Sequence, residues 1–217
     1  MVKFVGADGL WCQLLRPDKA VSLHGRPALF LDRDGVLVEE TGYLHRAEEA
    51  RLIPGATAAV AAAARAGLPV VLITNQAGIG RGYYGWAEFQ AVQEKIAADL
   101  AVGGGAFDMV LACPFHAAGQ PPYRHPDHPC RKPRPGMILR AAEMLGLDLA
   151  GSWVVGDRVI DLEAGRAAGL AGGVHVLTGH GAAERGAALE LATGKFRTLG
   201  AESIAEVPAL LPLFAPS

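Results

Sequence analysis

Residues 28–40 read ALFLDRDGVLVEE, in which an apolar run leads directly into two aspartates, Asp32 and Asp34, and then into Gly35. A short apolar run bounded by turn-forming residues is typical of a strand that is buried on both faces of a parallel sheet. Two carboxylates this close together repel each other unless a cation lies beside them. The stretch is therefore either a turn, in which the aspartates cap backbone amides, or one edge of a charged site.

Strand and helix patterns alternate on the C-terminal side of this stretch. Strands are predicted at 28–32, 68–75, 107–113, 152–157 and 172–179, helices at 54–67, 85–100, 135–146 and 159–169, and one more strand and an amphipathic helix within 195–211. This alternation predicts an α/β fold, a Rossmann-like open parallel sheet with helices on both faces and with sites at the carboxyl ends of its strands. We expect one domain over residues 1–217, in which residues 1–26 are an N-terminal extension of unassigned role.

Composition and charge exclude several classes of function. The net charge of −2 offers no basic surface for nucleic acid or for an anionic membrane. The sequence shows neither a leader pattern nor an apolar stretch of membrane-spanning length, so we expect a cytoplasmic protein, with a monomer favoured. The three cysteines cannot all pair within one chain, which favours metal binding or burial over a disulfide framework.

A second pair of aspartates, Asp157 and Asp161, follows the strand predicted at 152–157. If this strand and the strand at 28–32 are neighbours in the sheet, four carboxylates converge. Such a cluster needs a hard divalent cation with oxygen ligands, so the charges indicate Mg²⁺. An EF-hand is excluded, because Val36 and the residues after it do not supply the alternating oxygen ligands of that loop.

Two further groups of polar residues lie where a strand ends or a helix begins. Thr74 and Asn75 end the second predicted strand, where a hydroxyl, an amide and free backbone N–H groups can bind phosphoryl oxygens or simply cap the strand. Lys132 precedes a predicted helix and is either a solvated surface charge or a cation for a phosphate or a carboxylate. The order Asp-x-Asp, Thr, Lys, Gly-Asp-x-x-x-Asp at these positions favours a site over a set of unrelated caps.

The ordered motifs LDRDGVL, TNQAGIGRGYY, CRKPRPGM and VGDRVIDLEAG resemble those of the haloacid dehalogenase superfamily of aspartate-based phosphotransferases, over about residues 30–181. Within that superfamily the chain looks most like the heptose 1,7-bisphosphate phosphatases and the related histidinol-phosphate phosphatases. The resemblance implies that Asp32 attacks phosphorus to form an aspartyl-phosphate and that Asp34 is the general acid and base. It also implies a Mg²⁺ ion held by Asp32, the backbone carbonyl of Asp34, and Asp157.

The same resemblance assigns supporting roles. Asp161 would orient Lys132 or a metal-bound water, and Lys132 and Thr74 would hold the equatorial phosphoryl oxygens. The spacing leaves no room for a large cap domain, so we expect an open site roofed by short loops. The candidate substrate contacts are Arg33, Asn75, Gln76, Arg81 and Arg131, and several cations would suit a sugar that carries two phosphates.

The loop CPFHAAGQPPYRHPDHPCRKP, residues 113–133, combines sulfur and imidazole side chains within a short span. Two cysteines and two histidines could close a tetrahedral structural zinc site, and the alternative is an exposed polar loop. The expected ligands are Cys113, His116, His128 and Cys130, with His125 as a substitute. The resembled family has Cys-x-His followed by Cys-x-Cys, so Phe115 and His128 depart from its pattern.

These observations predict a Mg²⁺-dependent phosphatase that removes the C7 phosphate of a heptose 1,7-bisphosphate. The nearest alternative is hydrolysis of histidinol phosphate or of another small phosphomonoester. A zinc-stabilised binding module without turnover is a third interpretation, but a scaffold gains nothing from a repulsive acidic cluster. Binding of nucleic acid through the Cys/His loop lacks a basic face.

Overall fold

The apolar run at residues 28–31 lies at the centre of a seven-stranded sheet in the computed structural model, which describes residues 4–214. The strands are β1 Trp11–Leu14, β2 Pro27–Leu31, β3 Val70–Asn75, β4 Met109–Cys113, β5 Asp148–Gly156, β6 Gly172–Val176 and β7 Arg197–Ala201. The α-helices are α1 Ala56–Arg65, α2 Ala77–Gly80, α3 Trp86–Val102, α4 Gly136–Leu145, α5 Val159–Ala167, α6 Gly181–Leu189 and α7 Val207–Leu210. Short 3-10 helices cover Pro17–Leu23, Ala47–Glu49, Ile204–Glu206 and Pro212–Phe214.

The strand order is β1-β4-β3-β2-β5-β6-β7, and every pairing is parallel except that of β1 with β4. The chain moves outward from β2 through β3 to β4, and then returns to the other side of β2 to form β5. The order therefore reverses between β2 and β5, and in open α/β sheets a ligand site forms at such a reversal. The predicted α/β fold with helices on both faces is confirmed.

Side chains of the central strand alternate between two apolar layers, as the two-residue period of a strand requires. Leu29 and Leu31 pack in one layer with residues of α1 and α3. Ala28 and Phe30 pack in the other with residues of α4 and α5. Both faces of the strand are covered, which explains why its sequence is a continuous apolar run rather than an alternating one.

The helices begin and end where the sequence punctuation places them. Gly55, at φ +88°, precedes the alanine-rich α1, and Gly67, at φ +66°, follows it. The first turn of α3 is capped by Glu88, whose carboxylate accepts a hydrogen bond from the N–H of Gly85 at 2.9 Å. Two helices differ from the sequence expectation, since the nine-residue α6 was not predicted and the terminal helix α7 has only four residues.

The N-terminal extension, which carried no assigned role, supplies the antiparallel edge strand β1. Trp11 in this strand is fully buried and its ring stacks on that of Trp86, with centroids 5.3 Å apart, and meets Phe89 edge-on at 5.2 Å. The extension thus covers the edge of β4 and adds Trp11 to the apolar layer that packs against α3. Within residues 4–214, no helix has the length and apolar character needed to cross a membrane.

Candidate active site

Three parallel strands bring their carboxyl ends together at the reversal of strand order. Leu31 is paired with Leu72 of β3 on one side and with Val155 of β5 on the other. The residues that follow these positions therefore emerge side by side: Asp32 after β2, and Asp157 after β5. Thr74, near the end of β3, lies on the other side of Asp32 from Asp157, because β3 and β5 flank β2.

A buried lysine joins two of the carboxylates. The ammonium of Lys132 lies 2.8 Å from Asp32 Oδ1 and 2.7 Å from Asp161 Oδ1, and it donates a hydrogen bond to the carbonyl of Ile73 at 3.0 Å. Lys132 is 3% exposed, so these three partners account for its three N–H donors. Burial alone would lower the pKa of Lys132, but the charges of Asp161 and Asp32 outweigh burial and raise it.

The backbone of Lys132 is clamped from the neighbouring strand. Asn75 Nδ2 donates to the carbonyl of Lys132 at 3.1 Å, and Asn75 Oδ1 accepts from its N–H at 3.1 Å. Both ends of the Asn75 amide are therefore engaged with the loop that carries the lysine. Asn75, which the sequence suggested as a substrate contact, lines the cleft but serves here to hold Lys132 in place.

A set of three buried carboxylates has the geometry of a metal site. Each of Asp32, Asp157 and Asp161 offers a ligand oxygen within 4.8 Å of the others, and among residues 4–214 this is the only group of three or more Cys, His, Asp or Glu side chains so placed. Asp157 Oδ2 accepts the N–H of His180 at 2.7 Å, whereas the buried Oδ1 has no hydrogen-bond partner. A buried carboxylate oxygen without a donor suits a cation, and an all-oxygen set suits Mg²⁺.

Burial and mutual repulsion disfavour the ionised forms of two carboxylates in the acidic cluster. Burial raises the pKa of Asp32 to about 7, although Lys132 opposes the rise, and Asp161 and Asp34 add to it. Burial, together with the charges of Asp32 and Asp161, raises the pKa of Asp157 to about 8. A divalent cation beside these groups would favour their ionised forms.

Gly35 allows the metal-binding loop to approach Asp157 closely. Its φ is +79°, in the left-handed region, and a Cβ at this position would collide with Asp157 Oδ2. The hydroxyl of Thr178 donates to the carbonyl of Gly35 at 2.5 Å, which ties the loop after β2 to the loop after β6. The glycine of the DRDG motif is therefore required by the packing of Asp157 as well as by the turn.

Asp34 is held by two side chains. Arg33 Nε lies 3.0 Å from Asp34 Oδ2, and Arg33 Nη2 lies 2.9 Å from Asp34 Oδ1. Gln76 Nε2 donates to Asp34 Oδ2 at 3.3 Å. The side chain of Asp34 remains 19% exposed, so it is fixed in orientation yet open to the cleft.

Arg33 does not reach outward as a substrate contact. It is 1% exposed, its guanidinium donates to Gln76 Oε1 at 3.3 Å and to Gln93 Oε1 at 3.4 Å, and it lies 5.6 Å from the ring centroid of Phe89. The expected substrate contact at Arg33 is corrected, because the side chain is buried at the base of the cleft and its guanidinium donates to Asp34 and to other protein groups.

Thr74 and Gln76 belong to the same buried network. Gln76 Nε2 donates to Thr74 Oγ1 at 2.8 Å, and the hydroxyl of Tyr84 donates to Gln76 Oε1. Tyr84, the last residue of the TNQAGIGRGYY motif, also belongs to this network, although no role was predicted for it. Burial raises its pKa to about 12, so the phenol remains a hydrogen-bond donor at neutral pH.

These residues line a cleft of about 420 Å³ that is also lined by three arginines and two histidines, namely Arg81, Arg131, Arg158, His116 and His180. Arg81 Nη1 donates to the hydroxyl of Tyr43 at 2.7 Å. Arg131 Nη1 donates to the carbonyl of Phe115 at 3.0 Å. The cleft thus has a carboxylate cluster at its base and guanidinium groups at its rim.

The expected zinc site is not assembled. Cys113 is buried at the end of β4, and His128 lies flat on the Phe115 ring, with centroids 3.7 Å apart, while its Nδ1 accepts the N–H of Cys130 at 3.2 Å. Burial raises the pKa of the Cys113 thiol to about 12. No three of Cys113, His116, His125, His128 and Cys130 converge as ligands within the described chain. The donor set therefore does not fit zinc, and aromatic stacking around Phe115 fills the loop instead.

Several residues that line the cleft were not predicted from the sequence. Tyr43 contacts Arg81 from the segment between β2 and α1, which has no periodic pattern. Arg158 and His180 line the cleft from the loops after β5 and β6. The position of Arg158 directly after Asp157 was a usable signal, because residues at the carboxyl end of a central strand face the site. Nothing in the sequence singled out Tyr43 or His180.

Known proteins match the chain in sequence and in structure. The HAD-hydrolase-like family model matches residues 129–204. A D-glycero-beta-D-manno-heptose-1,7-bisphosphate 7-phosphatase of Mesorhizobium japonicum is 51% identical over 147 residues, which are 68% of each chain. A HAD-like phosphatase structure from Mesorhizobium loti superposes with a TM-score of 0.83 at 38% identity, over 97% of this chain and 95% of that one. The D,D-heptose 1,7-bisphosphate phosphatase of B. bronchiseptica, solved with magnesium and phosphate, gives a TM-score of 0.71 at 33% identity, over 84% and 96%.

Proposed function

Because the chain belongs to the family of D-glycero-β-D-manno-heptose-1,7-bisphosphate 7-phosphatases, we propose that it is a Mg²⁺-dependent phosphoric monoester hydrolase that removes the C7 phosphate of that bisphosphate. The observation that carries the proposal is the convergence of Asp32, Lys132, Asp161 and Asp157 at the base of one cleft. A binding module without turnover does not need this cluster, whose burial and mutual repulsion raise carboxylate pKa values.

Asp32 is the proposed nucleophile. In the first step one of its carboxylate oxygens forms a bond to phosphorus while the bond from phosphorus to the sugar oxygen breaks, which leaves an aspartyl-phosphate. In the second step a water oxygen attacks the same phosphorus, and the carboxylate of Asp32 leaves as inorganic phosphate is released. Lys132 binds Asp32 Oδ1 and so fixes the direction of the carboxylate in both steps.

Asp34 is the proposed general acid and base. It gives a proton to the sugar oxygen as that group leaves, and it takes a proton from water in the second step. The guanidinium of Arg33 and the amide of Gln76 hold the carboxylate in one orientation while its exposed side faces the cleft. Arg33 is a positioning residue, because it touches Asp34 and not the reacting atoms.

Mg²⁺ would be held by Asp32 and Asp157, with the backbone carbonyl of Asp34 as a further ligand. When bound, it neutralises charge on the phosphoryl group during transfer. The free Oδ1 of Asp157 is the atom that this assignment explains best. Asp161 accepts the N–H of Arg158 at 3.1 Å and contacts Lys132, so its role is to orient the lysine.

The substrate class follows from the size and charge of the cleft. Arg81 and Arg131 stand at the rim, away from the carboxylate cluster that receives the transferred phosphate, and a bisphosphate brings a second anion to such a rim. The partner that we propose is a small sugar phosphate. A monomer in the cytoplasm remains our prediction, and gel filtration and cell fractionation test it.

Phosphate release from the heptose bisphosphate in the presence of Mg²⁺ tests the proposal. We expect the wild-type protein to yield one phosphate per substrate and heptose 1-phosphate as the product. The Asp32→Asn variant, which keeps the shape of the side chain, should release none. Histidinol phosphate and other small phosphomonoesters form the comparison panel, and a higher kcat/KM for any of them than for the heptose bisphosphate would refute the assignment of substrate.

A further inference from the structure

We propose that Thr178 is a positioning residue for Mg²⁺ binding, whose hydroxyl holds the turn at residues 32–35 against Asp157 before the ion binds. Thr178 lies in the loop between β6 and α6, and neither the sequence motifs nor the proposed reaction gave it a role. The inference rests on the proposed function, because it concerns the Mg²⁺ ion of that reaction. It is supported by the hydrogen bonds of the turn, by the contacts of residues 178–180, and by the anchoring of their loop.

The turn at residues 32–35 leaves one backbone carbonyl without a hydrogen bond. The carbonyl of Arg33 accepts two backbone N–H groups from the chain that follows, at 2.9 and 3.1 Å, and the carbonyl of Gly35 accepts the hydroxyl of Thr178 at 2.5 Å. In the described part of the chain, no donor reaches the carbonyl of Asp34 that lies between them. A carbonyl oxygen of this kind is available to a hard cation, and it is the backbone ligand of the proposed Mg²⁺ site.

Gly35 needs a restraint from outside the turn. A glycine reaches many backbone conformations, so the residue that lets the turn approach Asp157 also leaves the turn free to rotate. Its N–H donates to the carbonyl of Val38 at 2.8 Å, and its carbonyl accepts from Thr178, so one hydrogen bond restrains each side of the glycine. The hydroxyl must be the donor, because a carbonyl only accepts. Loss of the hydroxyl would release the peptide after Gly35 from the loop that follows β6.

The two residues after Thr178 contact the same site. A Cβ on Gly179 would collide with Asp157 Oδ2 and with the Cα of Gly35, so the backbone of Gly179 packs against both. The N–H of His180 donates to Asp157 Oδ2 at 2.7 Å. Three consecutive residues therefore contact either the turn or Asp157. Because the turn and Asp157 supply the proposed Mg²⁺ ligands, this loop determines how far apart those ligands lie.

The loop between β6 and α6 is held at both ends by contacts that do not involve a metal. On its N-terminal side, the N–H of Leu177 donates to the carbonyl of Glu202 at 3.1 Å. On its C-terminal side, Glu184 of α6 accepts the N–H of Val159 at 2.6 Å, which ties the helix to the segment that follows Asp157. A loop anchored in this way keeps the ligands near their binding positions, so less conformational entropy is lost when the ion binds.

The test compares variants that differ in one hydroxyl group. Thr178→Val removes the hydroxyl and keeps the shape of the side chain, whereas Thr178→Ser keeps the hydroxyl. Thr178→Ala, compared with Thr178→Ser, provides a second pair if the valine variant does not fold. Thr198→Val is the matched control, because the hydroxyl of Thr198 also donates to a backbone carbonyl, that of Leu189 at 2.8 Å, but lies on the edge strand β7. Thermal unfolding in chelator shows whether each variant is folded.

The first measurement is the affinity for Mg²⁺ without substrate, obtained from the rise of the unfolding temperature with Mg²⁺ concentration. Loss of one hydrogen bond that orients a ligand should raise the dissociation constant for Mg²⁺ by about 3- to 10-fold in Thr178→Val. Thr178→Ser should bind Mg²⁺ as the wild type does, and so should Thr198→Val. A purely structural role would lower the unfolding temperature equally with and without Mg²⁺ and would leave the dissociation constant unchanged.

The second measurement is phosphate release from the heptose bisphosphate as a function of Mg²⁺ concentration. In Thr178→Val the concentration for half-maximal release should rise by the same factor, while KM for the sugar phosphate at saturating Mg²⁺ stays that of the wild type. Weakened Mg²⁺ binding by Thr178→Val, with no phosphate release by the wild type, would sink the proposed reaction and leave the role of Thr178 standing. That role is overturned by an unchanged Mg²⁺ affinity in Thr178→Val, an equal loss in Thr198→Val, no recovery in Thr178→Ser, or a wild type that Mg²⁺ does not stabilise.

Discussion

Arg33 closes back onto Asp34, its immediate neighbour in the chain, through two contacts of 3.0 and 2.9 Å between the guanidinium and the carboxylate. The pair lies between the nucleophile and the helix α3, and Gln93 and Phe89 of that helix hold the other side of the guanidinium. The proposed general acid and base is therefore oriented by a residue whose own side chain is buried.

Replacing Arg33 with lysine should separate orientation from charge. Lysine keeps a cation but loses the planar fork, so kcat should fall about tenfold or more while KM changes little. We expect the free energy of unfolding to fall by about 2 kcal/mol, since hydrogen bonds to charged groups contribute about 1.5–3 kcal/mol. Steady-state kinetics and urea unfolding measure the two effects. An unchanged kcat in a folded variant would show that Asp34 is oriented by other groups.

Replacing Lys132 with methionine should impair both stability and activity. The change leaves Asp32 and Asp161 buried without their shared cation, which costs about 3–5 kcal/mol for a broken buried pair. Phosphate release should fall by at least about 100-fold, because the nucleophile loses its positioning. The control is Lys95→Met, which removes an exposed ion pair with Asp99 and should cost less than about 1 kcal/mol. Similar losses of stability in the two variants would contradict the assignment.

Replacing Asp157 with asparagine should stabilise the protein in the absence of Mg²⁺ and destabilise it in the presence of Mg²⁺. Burial raises the pKa of Asp157 from 3.8 to about 8, so between these values the folded protein binds more protons than the unfolded chain, and its stability falls as pH rises. In a chelator, Asp157→Asn removes this penalty, and the variant should become progressively more stable than the wild type from pH 5 to pH 8.

Added Mg²⁺ should reverse that order at pH 8, because the ion binds and stabilises the ionised carboxylates of the wild type. Urea unfolding at both pH values, with chelator and with Mg²⁺, measures all four conditions. Because the variant and the wild type contain the same histidines, the difference between their stabilities reports on Asp157 alone. A variant that is less stable than the wild type in chelator at pH 8 would show that the cluster is not strained.

Gly35→Ala should be more damaging than a glycine replacement of equal backbone strain. Gly35 and Gly169 have φ values of +79° and +80°, but a Cβ at Gly35 would collide with Asp157 Oδ2, whereas a Cβ at Gly169 meets no atom within 4 Å. We expect Gly169→Ala to lose about 1 kcal/mol of stability and to keep its activity. Gly35→Ala should lose more stability and most of its Mg²⁺-dependent activity, as thermal unfolding and a Mg²⁺ titration of phosphate release will show. Equal behaviour of the two variants would remove the proposed contact.

The spacing of cysteines and histidines in residues 113–130 was not sufficient to predict how their side chains are arranged. Two cysteines and three histidines lie within eighteen residues, which is enough donor atoms for a tetrahedral site. Spacing does not specify the direction of a side chain, and in the folded loop the rings of Phe115 and His128 stack while His116 turns toward Arg81. Phe115, which departs from the family pattern, is the residue on which His128 stacks, so the departure coincides with the absence of a convergent ligand set in the described loop.

The apolar runs and the polar residues that end them were sufficient to predict the central sheet and the meeting of Asp32, Thr74 and Asp157, because parallel strands place their carboxyl ends at one edge. The strand β1 and the helix α6 were not predicted, because β1 is stabilised by pairing with β4 and α6 combines alanine with two glycines. The contacts of Arg33, Asn75 and His116 needed the folded chain, since each joins segments far apart in sequence. Periodicity specifies which face of an element is buried, but which atoms meet across the cleft depends on how the loops pack.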